Sequence, residues 1–204
     1  ANSDPALLAR LAGDGCGFEV VGPVELALAL RAGCPPERIV VNGVGQSDAD
    51  LAAAARIGAL VNAESLGALD VLRGIDGARI GLRINPGLVA DTHPHLATGA
   101  AGSKFGVALD ELPDALARAR PESIGAHIGS AIRDPEPFGG LAGMLVRLAD
   151  EHGIGTIDLG GGFDGPPAEW AAAVGARLHG RRVIVEPGRT ITASAGWLLT
   201  RVVR

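Results

Sequence analysis

The sequence is short of cysteine, aromatic residues and cationic runs. Cys16 and Cys34 are its only cysteines in 204 residues, 18 apart, with no CxxC and no His/Cys cluster. That removes a disulfide framework and a zinc site from consideration, and no other metal site is indicated. Aromatic residues make up only 3% of the chain, and the net charge is -5 with a pI near 5.5. No basic stripe or aromatic ladder offers itself to nucleic acid. Charge-free apolar stretches all fall short of the ~18 to 20 residues that cross a bilayer. The N-terminal "ANSDPALLAR" lacks the basic and apolar regions of a secretory signal. These absences predict a cytoplasmic protein that uses neither nucleic acid nor membrane as a partner.

Glycine, by contrast, is plentiful, with 31 residues in a chain that is 47% hydrophobic. That is enough apolar material for one sizeable core, and residues 1–204 read as one domain. Seven short apolar runs read as buried strands: "FEVVG" (18–22), "RIVVNG" (38–43), "ALVNA" (59–63), "RIGLRIN" (79–85), "SIGAHIG" (123–129), "TIDLGGG" (156–162) and "RVIVEPG" (182–188). Ala/Leu-rich segments of helical period lie between them, as at 23–33, 47–58 and 63–74. Ser47 is placed as an N-cap ahead of Asp48 and Asp50, and Gly33, Gly58 and Gly74 stand where helix C-caps are expected.

Strict alternation of strand and helix leaves an open doubly wound sheet or a (β/α)8 barrel. A helix at "PALLARLAG" (5–13) precedes the first strand, so the chain begins partway through a unit. Supplying that unit's strand brings the count to eight and predicts a TIM barrel; the doubly wound sheet stays open. Catalytic groups of such barrels sit at the C-terminal strand ends. Here those ends carry Glu19, Asn42, Asn62, Arg83, Asn85, His127, Ser130, the Gly160–Gly162 run, and Glu186 with Arg189. Polar residues also collect wherever strands meet loops, and for Asn42, Asn62 and Asn85 that ordinary reading is preferred. Arg83 is expected to pair with a strand-end carboxylate, Glu25 or Glu19.

Three clusters point further. "LGGGF" (159–163) ends a strand in bare N–H groups that an anion can approach, ahead of a helix whose dipole favours negative charge. "AHIGS" (126–130) places His127 where an imidazole can stack on a planar ring, and Ser130 where a hydroxyl can meet a phosphate. "EPGR" (186–189) adds Glu186, a carboxylate able to hold a ring nitrogen protonated, beside Arg189. The ordinary reading of that last pair is a local ion pair, worth little if exposed. Pyridoxal 5'-phosphate is the ligand that uses all three clusters.

With these residues in hand, the chain resembles the fold-type III pyridoxal-phosphate decarboxylases, the family of diaminopimelate, ornithine and arginine decarboxylases. The likeness runs through "ANSDPALLARLA", "GFEVVGPVEL", "THPHLATGAAGSKFG" (92–106), "AHIGS", "LGGGF" and "EPGR", in family order. It implies an alanine-racemase-like barrel, a carboxy-lyase activity, and Glu186 on the pyridine nitrogen. It also implies that His127 stacks on the ring, and that Ser130, Gly160, Gly161, Gly162 and Gly188 hold the phosphate. Arg189 would contact the phosphate or a substrate carboxylate. The segment 92–106 is closest to the diaminopimelate branch, which implies decarboxylation of meso-diaminopimelate to L-lysine in lysine biosynthesis. The resemblance further implies a homodimer with shared active sites, an amino-acid substrate, a cofactor-bearing lysine just before Ala1, and a C-terminal β-domain and first strand outside this chain.

Some positions depart from the family pattern. Glu19 stands for the usual aspartate, Gly22 for a common serine, Ala131 for glutamine after "HIGS", and Asp164 for glycine after "GGGF". The segment 164–185 leaves room for one helix only. A relative acting on another amino acid or a carrier-linked group is therefore one alternative. A catalytically silent regulator, or a phosphate-binding barrel without pyridoxal phosphate, are others. His93 and His95 are assigned to a substrate-side loop, and Lys104 to the mouth or a dimer contact.

Overall fold

The computed structural model describes residues 2–88, 98–99, 102–196 and 199–201. His93 and His95, and most of the segment 92–101, lie outside them, as does Ala1. Helix α1 (Pro5–Gly13) comes first, with Pro5 inside its first turn and the Asp4 carboxylate accepting from the Leu7 N–H. Strand and helix then alternate: β1 (Phe18–Val20), α2 (Pro23–Arg31), β2 (Ile39–Val41), α3 (Asp48–Arg56), β3 (Leu60–Ala63), α4 (Leu66–Leu72) and β4 (Arg79–Asn85). After β4 come β5 (Val107–Ala108), α5 (Leu112–Arg118), β6 (Ser123–Gly125), α6 (Glu136–His152), β7 (Thr156–Asp158), α7 (Pro167–Leu178), β8 (Arg182–Ile184) and α8 (Gly188–Thr192).

All seven expected strands are present, at times shorter than their apolar runs; β5 is an addition, pairing with Ile84 and Asn85 at the end of β4. Ser47 caps α3 as expected, in a reciprocal box with Asp50. Gly33 and Gly58 take left-handed φ of 88° just past their helices. Gly74 does not, although it stands at the same distance past α4; its N–H closes a turn onto the Val71 carbonyl at 3.2 Å.

The strand order β1-β2-β3-β4-β6-β7-β8 is sequential and every pairing is parallel, without the reversal of a doubly wound sheet. The sheet also curls. Five steps of ~4.8 Å would put β2 roughly 24 Å from β8 in a flat sheet. Yet Asn42, just past β2, donates to Glu186, just past β8, at 2.9 Å. Only a sheet rolled toward closure brings those strands together, so the fold is a (β/α) barrel.

Alternation along each strand sorts residues into two layers. Ile39, Val41, Val61, Leu82, Ile84, Ile124 and Ile157 join the apolar layer between strands and helices. The intervening positions, Asn42, Asn62, Arg83, Gly125 and Asp158, line the barrel interior. Small residues make that interior possible. A Cβ on Gly125 would stand 2.6 Å from the Asp158 Cβ, and one on Gly81 would overlap the Asn62 side-chain oxygen.

Candidate active site

The site forms where β6, β7 and β8 end. The Glu186 N–H donates to the Gly160 carbonyl at 2.9 Å, and the Gly188 N–H returns to the Glu186 carbonyl at 2.8 Å, closing the turn after β8. The Glu186 carboxylate points inward: Oε1 accepts from Asn42 Nδ2 at 2.9 Å, and Oε2 lies 3.6 Å from His127 Nδ1. Arg189 turns the other way, in the first turn of α8, where its guanidinium donates to the Ser130 hydroxyl at 3.1 Å. Among the described residues Glu186 and Arg189 form no ion pair with each other. The turn at Pro187 and Gly188 separates two opposite charges and aims them at different neighbours.

His127 lies just beyond β6, not within a strand. Its Nδ1 accepts from the Gly161 N–H at 3.3 Å, which places the ring proton on Nε2 while that bond stands. Its carbonyl accepts from the Thr98 hydroxyl at 2.6 Å. Ser130 precedes Ala131, a left-handed alanine with φ 59°. From there the chain is stitched to the glycine run: the Ile132 N–H donates to the Gly162 carbonyl at 3.0 Å and the Asp164 N–H to Ile132 at 2.8 Å.

The glycine run corrects one expectation. The Gly160 N–H donates to Asp158 Oδ1 at 2.9 Å, and Gly161 is committed to His127. Two of the three N–H groups are therefore bonded within the protein, and α7 starts too late for its dipole to help. What these glycines supply is room. A Cβ on Gly161 would overlap the Glu186 carbonyl oxygen, one on Gly162 the Gly129 carbonyl oxygen, and one on Gly160 would stand 2.8 Å from His127 Nδ1.

Four residues were undervalued at the sequence level. Asn42 and Asn62, treated there as ordinary strand-end polarity, are 6% and 5% exposed and hydrogen-bonded to each other, Asn62 Nδ2 donating to Asn42 Oδ1 at 2.8 Å. Asp158 is buried, and burial first, then the charge of Glu186, pushes its carboxyl well above the usual range. Glu64, one residue past the end of β3, takes the ion pair with Arg83 at 2.9 Å that had been assigned to Glu25 or Glu19. Glu25 instead accepts from the Val21 N–H. Glu19 is pushed up to about 7 by burial, then by Glu186 and Glu25. Period-two counting along β2, β3 and β7 was the signal that could have exposed Asn42, Asn62 and Asp158.

The space among Asn42, Asn62, Arg83, His127, Asp158 and Glu186 is only about 10 Å³, no more than one water needs. A ligand must meet Glu186 from the loop side. A larger cavity, about 240 Å³, lies beside Gly43, Gln46, Asn62, Glu64 and Lys104, but none of His127, Ser130, Glu186 or Arg189 lines it. Lys104 itself rests 5.2 Å from the Phe105 ring centroid. Among the described residues no group of three or more His, Cys, Asp or Glu could hold a metal ion, and no helix is long and apolar enough to cross a membrane.

Comparison with known proteins settles the kinship. A family model described as the pyridoxal binding domain of pyridoxal-dependent decarboxylases matches residues 1–193. The chain belongs to this family. It is 42% identical to the diaminopimelate decarboxylase of Deinococcus radiodurans across 100% of the chain and 56% of that protein. Against the Pseudomonas aeruginosa enzyme of the same name the figures are 40%, 99% and 55%. The crystal structure of Helicobacter pylori diaminopimelate decarboxylase (I148L mutant) complexed with L-lysine superposes with a TM-score of 0.88 at 32% identity, covering 94% of this chain and 55% of that one. The chain thus spans about half the length of the relatives it matches.

The donor set suits the cofactor that gives this decarboxylase family its name. Glu186 offers an acceptor-only carboxylate with one oxygen already held by Asn42. Ser130 and Arg189 stand together as hydroxyl and guanidinium, a pairing adapted to a phosphate dianion. Beside them His127 presents a flat ring whose side chain is 28% exposed.

Proposed function

We propose that the protein carrying this chain is a pyridoxal-phosphate-dependent amino-acid decarboxylase that removes the D-centre carboxylate of meso-diaminopimelate to yield L-lysine. The observation that carries the reading is the divergence of Glu186 and Arg189: the carboxylate is anchored inward beside His127, the guanidinium outward on Ser130. A phosphorylated pyridine needs such an arrangement, with negative charge at its nitrogen and positive charge at its phosphate. When bound, pyridoxal phosphate supplies the sink for the electron pair left as carbon dioxide departs. Glu186 holds a proton at the ring nitrogen and so keeps that sink deep. His127 stacks on the ring. Ser130 and Arg189, with Gly162, take the phosphate, while Gly160, Gly161 and Gly188 shape the turn that lets them reach it. The packed interior of the curled sheet keeps bulk water from the inner face of Glu186, whose side chain is 11% exposed. The reading extends to a cytoplasmic homodimer with shared active sites, on the strength of the family likeness.

The test is borohydride reduction of the natural full-length protein followed by peptide mass mapping. A phosphopyridoxyl adduct on a lysine immediately before Ala1, with lysine released from meso-diaminopimelate, is the expected result. Absence of any adduct would overturn the reading in favour of a silent regulator. An adduct without lysine release would overturn the substrate and leave the carboxy-lyase class.

A further inference from the structure

We infer that Asn42 and Asn62 are positioning residues: a one-way hydrogen-bond relay running Asn62 to Asn42 to Glu186, which holds Glu186 as the ionised carboxylate that a ring nitrogen requires. The inference rests on the cofactor reading above and assigns a role to two residues that were given none there.

The two amide bonds run in one direction, from Asn62 through Asn42 to Glu186. Asn62 sits on β3 with its side-chain oxygen turned toward β4, into the space that Gly81 leaves by having no Cβ; the Ser123 hydroxyl stands 2.6 Å from the same missing atom. That orientation sends the Asn62 NH2 toward β2, where it donates to Asn42 Oδ1 at 2.8 Å. With its oxygen so engaged, Asn42 can present only its own NH2 to Glu186, and it does so at 2.9 Å. Reversing Asn62 alone would set its oxygen against Asn42 Oδ1, and reversing Asn42 alone would set NH2 against NH2 and its oxygen against the Glu186 carboxylate. A chain of donors ending on Oε1 favours a Glu186 that only accepts, the ionised form.

Such a device has work to do here. Glu186 shares the barrel interior with Asp158 and with Glu19, and crowding of like charge in a buried space means that these groups cannot all be ionised together. Burial, then the charge of Glu186, raises both Asp158 and Glu19, which disposes these two to hold protons. Asp158 accepts from the Gly160 backbone N–H, whereas Glu186 is the one of these carboxylates that receives a side-chain amide donor. Asn42 and Asn62 are both nearly fully buried, so the relay is sheltered from exchange with water.

The test uses the full-length holoprotein, reconstituted with pyridoxal phosphate carrying ¹⁵N in its ring, and the variants Asn42→Leu, Asn62→Leu and Gly81→Ala. Each variant is made alone and again in a Glu186→Gln background. A hydrogen bond to a charged group justifies a loss of roughly 10- to 100-fold in kcat for Asn42→Leu, with KM and cofactor affinity within about twofold on this reading. The ring ¹⁵N signal is expected to move from its protonated toward its unprotonated position. In the Glu186→Gln background the same substitution should cost less than about twofold, because a residue acting through Glu186 has nothing left to act on. Gly81→Ala, distant from Glu186, should reproduce the ¹⁵N change by displacing Asn62. An unmoved ¹⁵N signal in all three variants, or a loss of kcat equally large in the Glu186→Gln background, overturns the relay while leaving the cofactor reading intact. If the wild-type holoprotein binds no cofactor, the functional reading falls, and the relay's purpose with it.

Discussion

Replacing Arg83 by leucine should cost the fold about 3 kcal/mol, within the range for breaking a buried ion pair. Arg83 and Glu64 are 12% and 7% exposed at their side chains and 2.9 Å apart. Solvent screens such a pair far less than a surface one. Removing the cation leaves Glu64 with the Gly43 N–H at 2.7 Å and the Gly106 N–H at 3.4 Å, partial compensation that keeps the loss near the lower end of ~3 to 5 kcal/mol. The guanidinium also lies 5.2 Å from the Phe105 ring centroid, a contact worth ~0.5 to 1 kcal/mol that goes with it. Glu64→Gln should cost somewhat less, since its amide oxygen can still accept from Gly43. Because each single change orphans the opposite partner and the double variant orphans neither, the double variant should be more stable than the sum of the singles by about 1 kcal/mol or more. Urea unfolding followed by circular dichroism, with the m-value checked for constancy, measures all three. A loss below about 1 kcal/mol for Arg83→Leu, or strict additivity, would refute the claim that this pair ties the loops around Gly43 and Gly106 to the barrel.

Glu186→Gln should lower turnover far more than cofactor affinity; equal losses in both would make the carboxylate merely structural. Gly162→Ala should destabilise by at least about 2 kcal/mol, because φ is 95° and the new Cβ would overlap the Gly129 carbonyl oxygen; an unchanged Tm would show that Gly129 yields freely. Glu19 keeps its proton in the fold up to about 7, whereas the unfolded chain loses it near 4.5. The folded state therefore binds more protons between those values, and stability falls as pH rises through that window and levels off above it. Glu19→Gln should accordingly raise the urea midpoint of the cofactor-free protein more at pH 8 than at pH 4; equal gains at both would refute the assignment.

Much of the architecture was legible before any coordinates. The apolar runs that became β1 to β4 and β6 to β8 are bounded by glycine and proline, and the helices between them are amphipathic enough to read by eye. The strands ending in glycine were read too long: β6 and β7 stop at Gly125 and Asp158, although Ala126 and Leu159 still donate to the neighbouring strands' carbonyls. β5 escaped notice because a two-residue strand has no period. In the site, motifs carried His127, Ser130, Glu186 and Arg189. Asn42, Asn62 and Asp158 were passed over, because a lone polar residue after an apolar run looks the same whether it faces water or a polar barrel interior. Which partner Arg83 would choose depended on register, and local sequence does not encode the level at which two distant strands meet.

The crowding of glycines also divides the mouth for anyone wishing to recode its specificity. Where β6, β7 and β8 end, the spaces beside Gly125, Gly160, Gly161 and Gly162 are filled by neighbouring backbone or side chains, so randomising those codons would mostly yield misfolded clones. Across the opening, Gly22 has extended backbone and open space around it, and Val21, Val24 and Val44 are 54%, 74% and 38% exposed. A library confined to residues 21–24 and 44 would explore new rim chemistry while sparing the half of the barrel that tolerates no additional atoms.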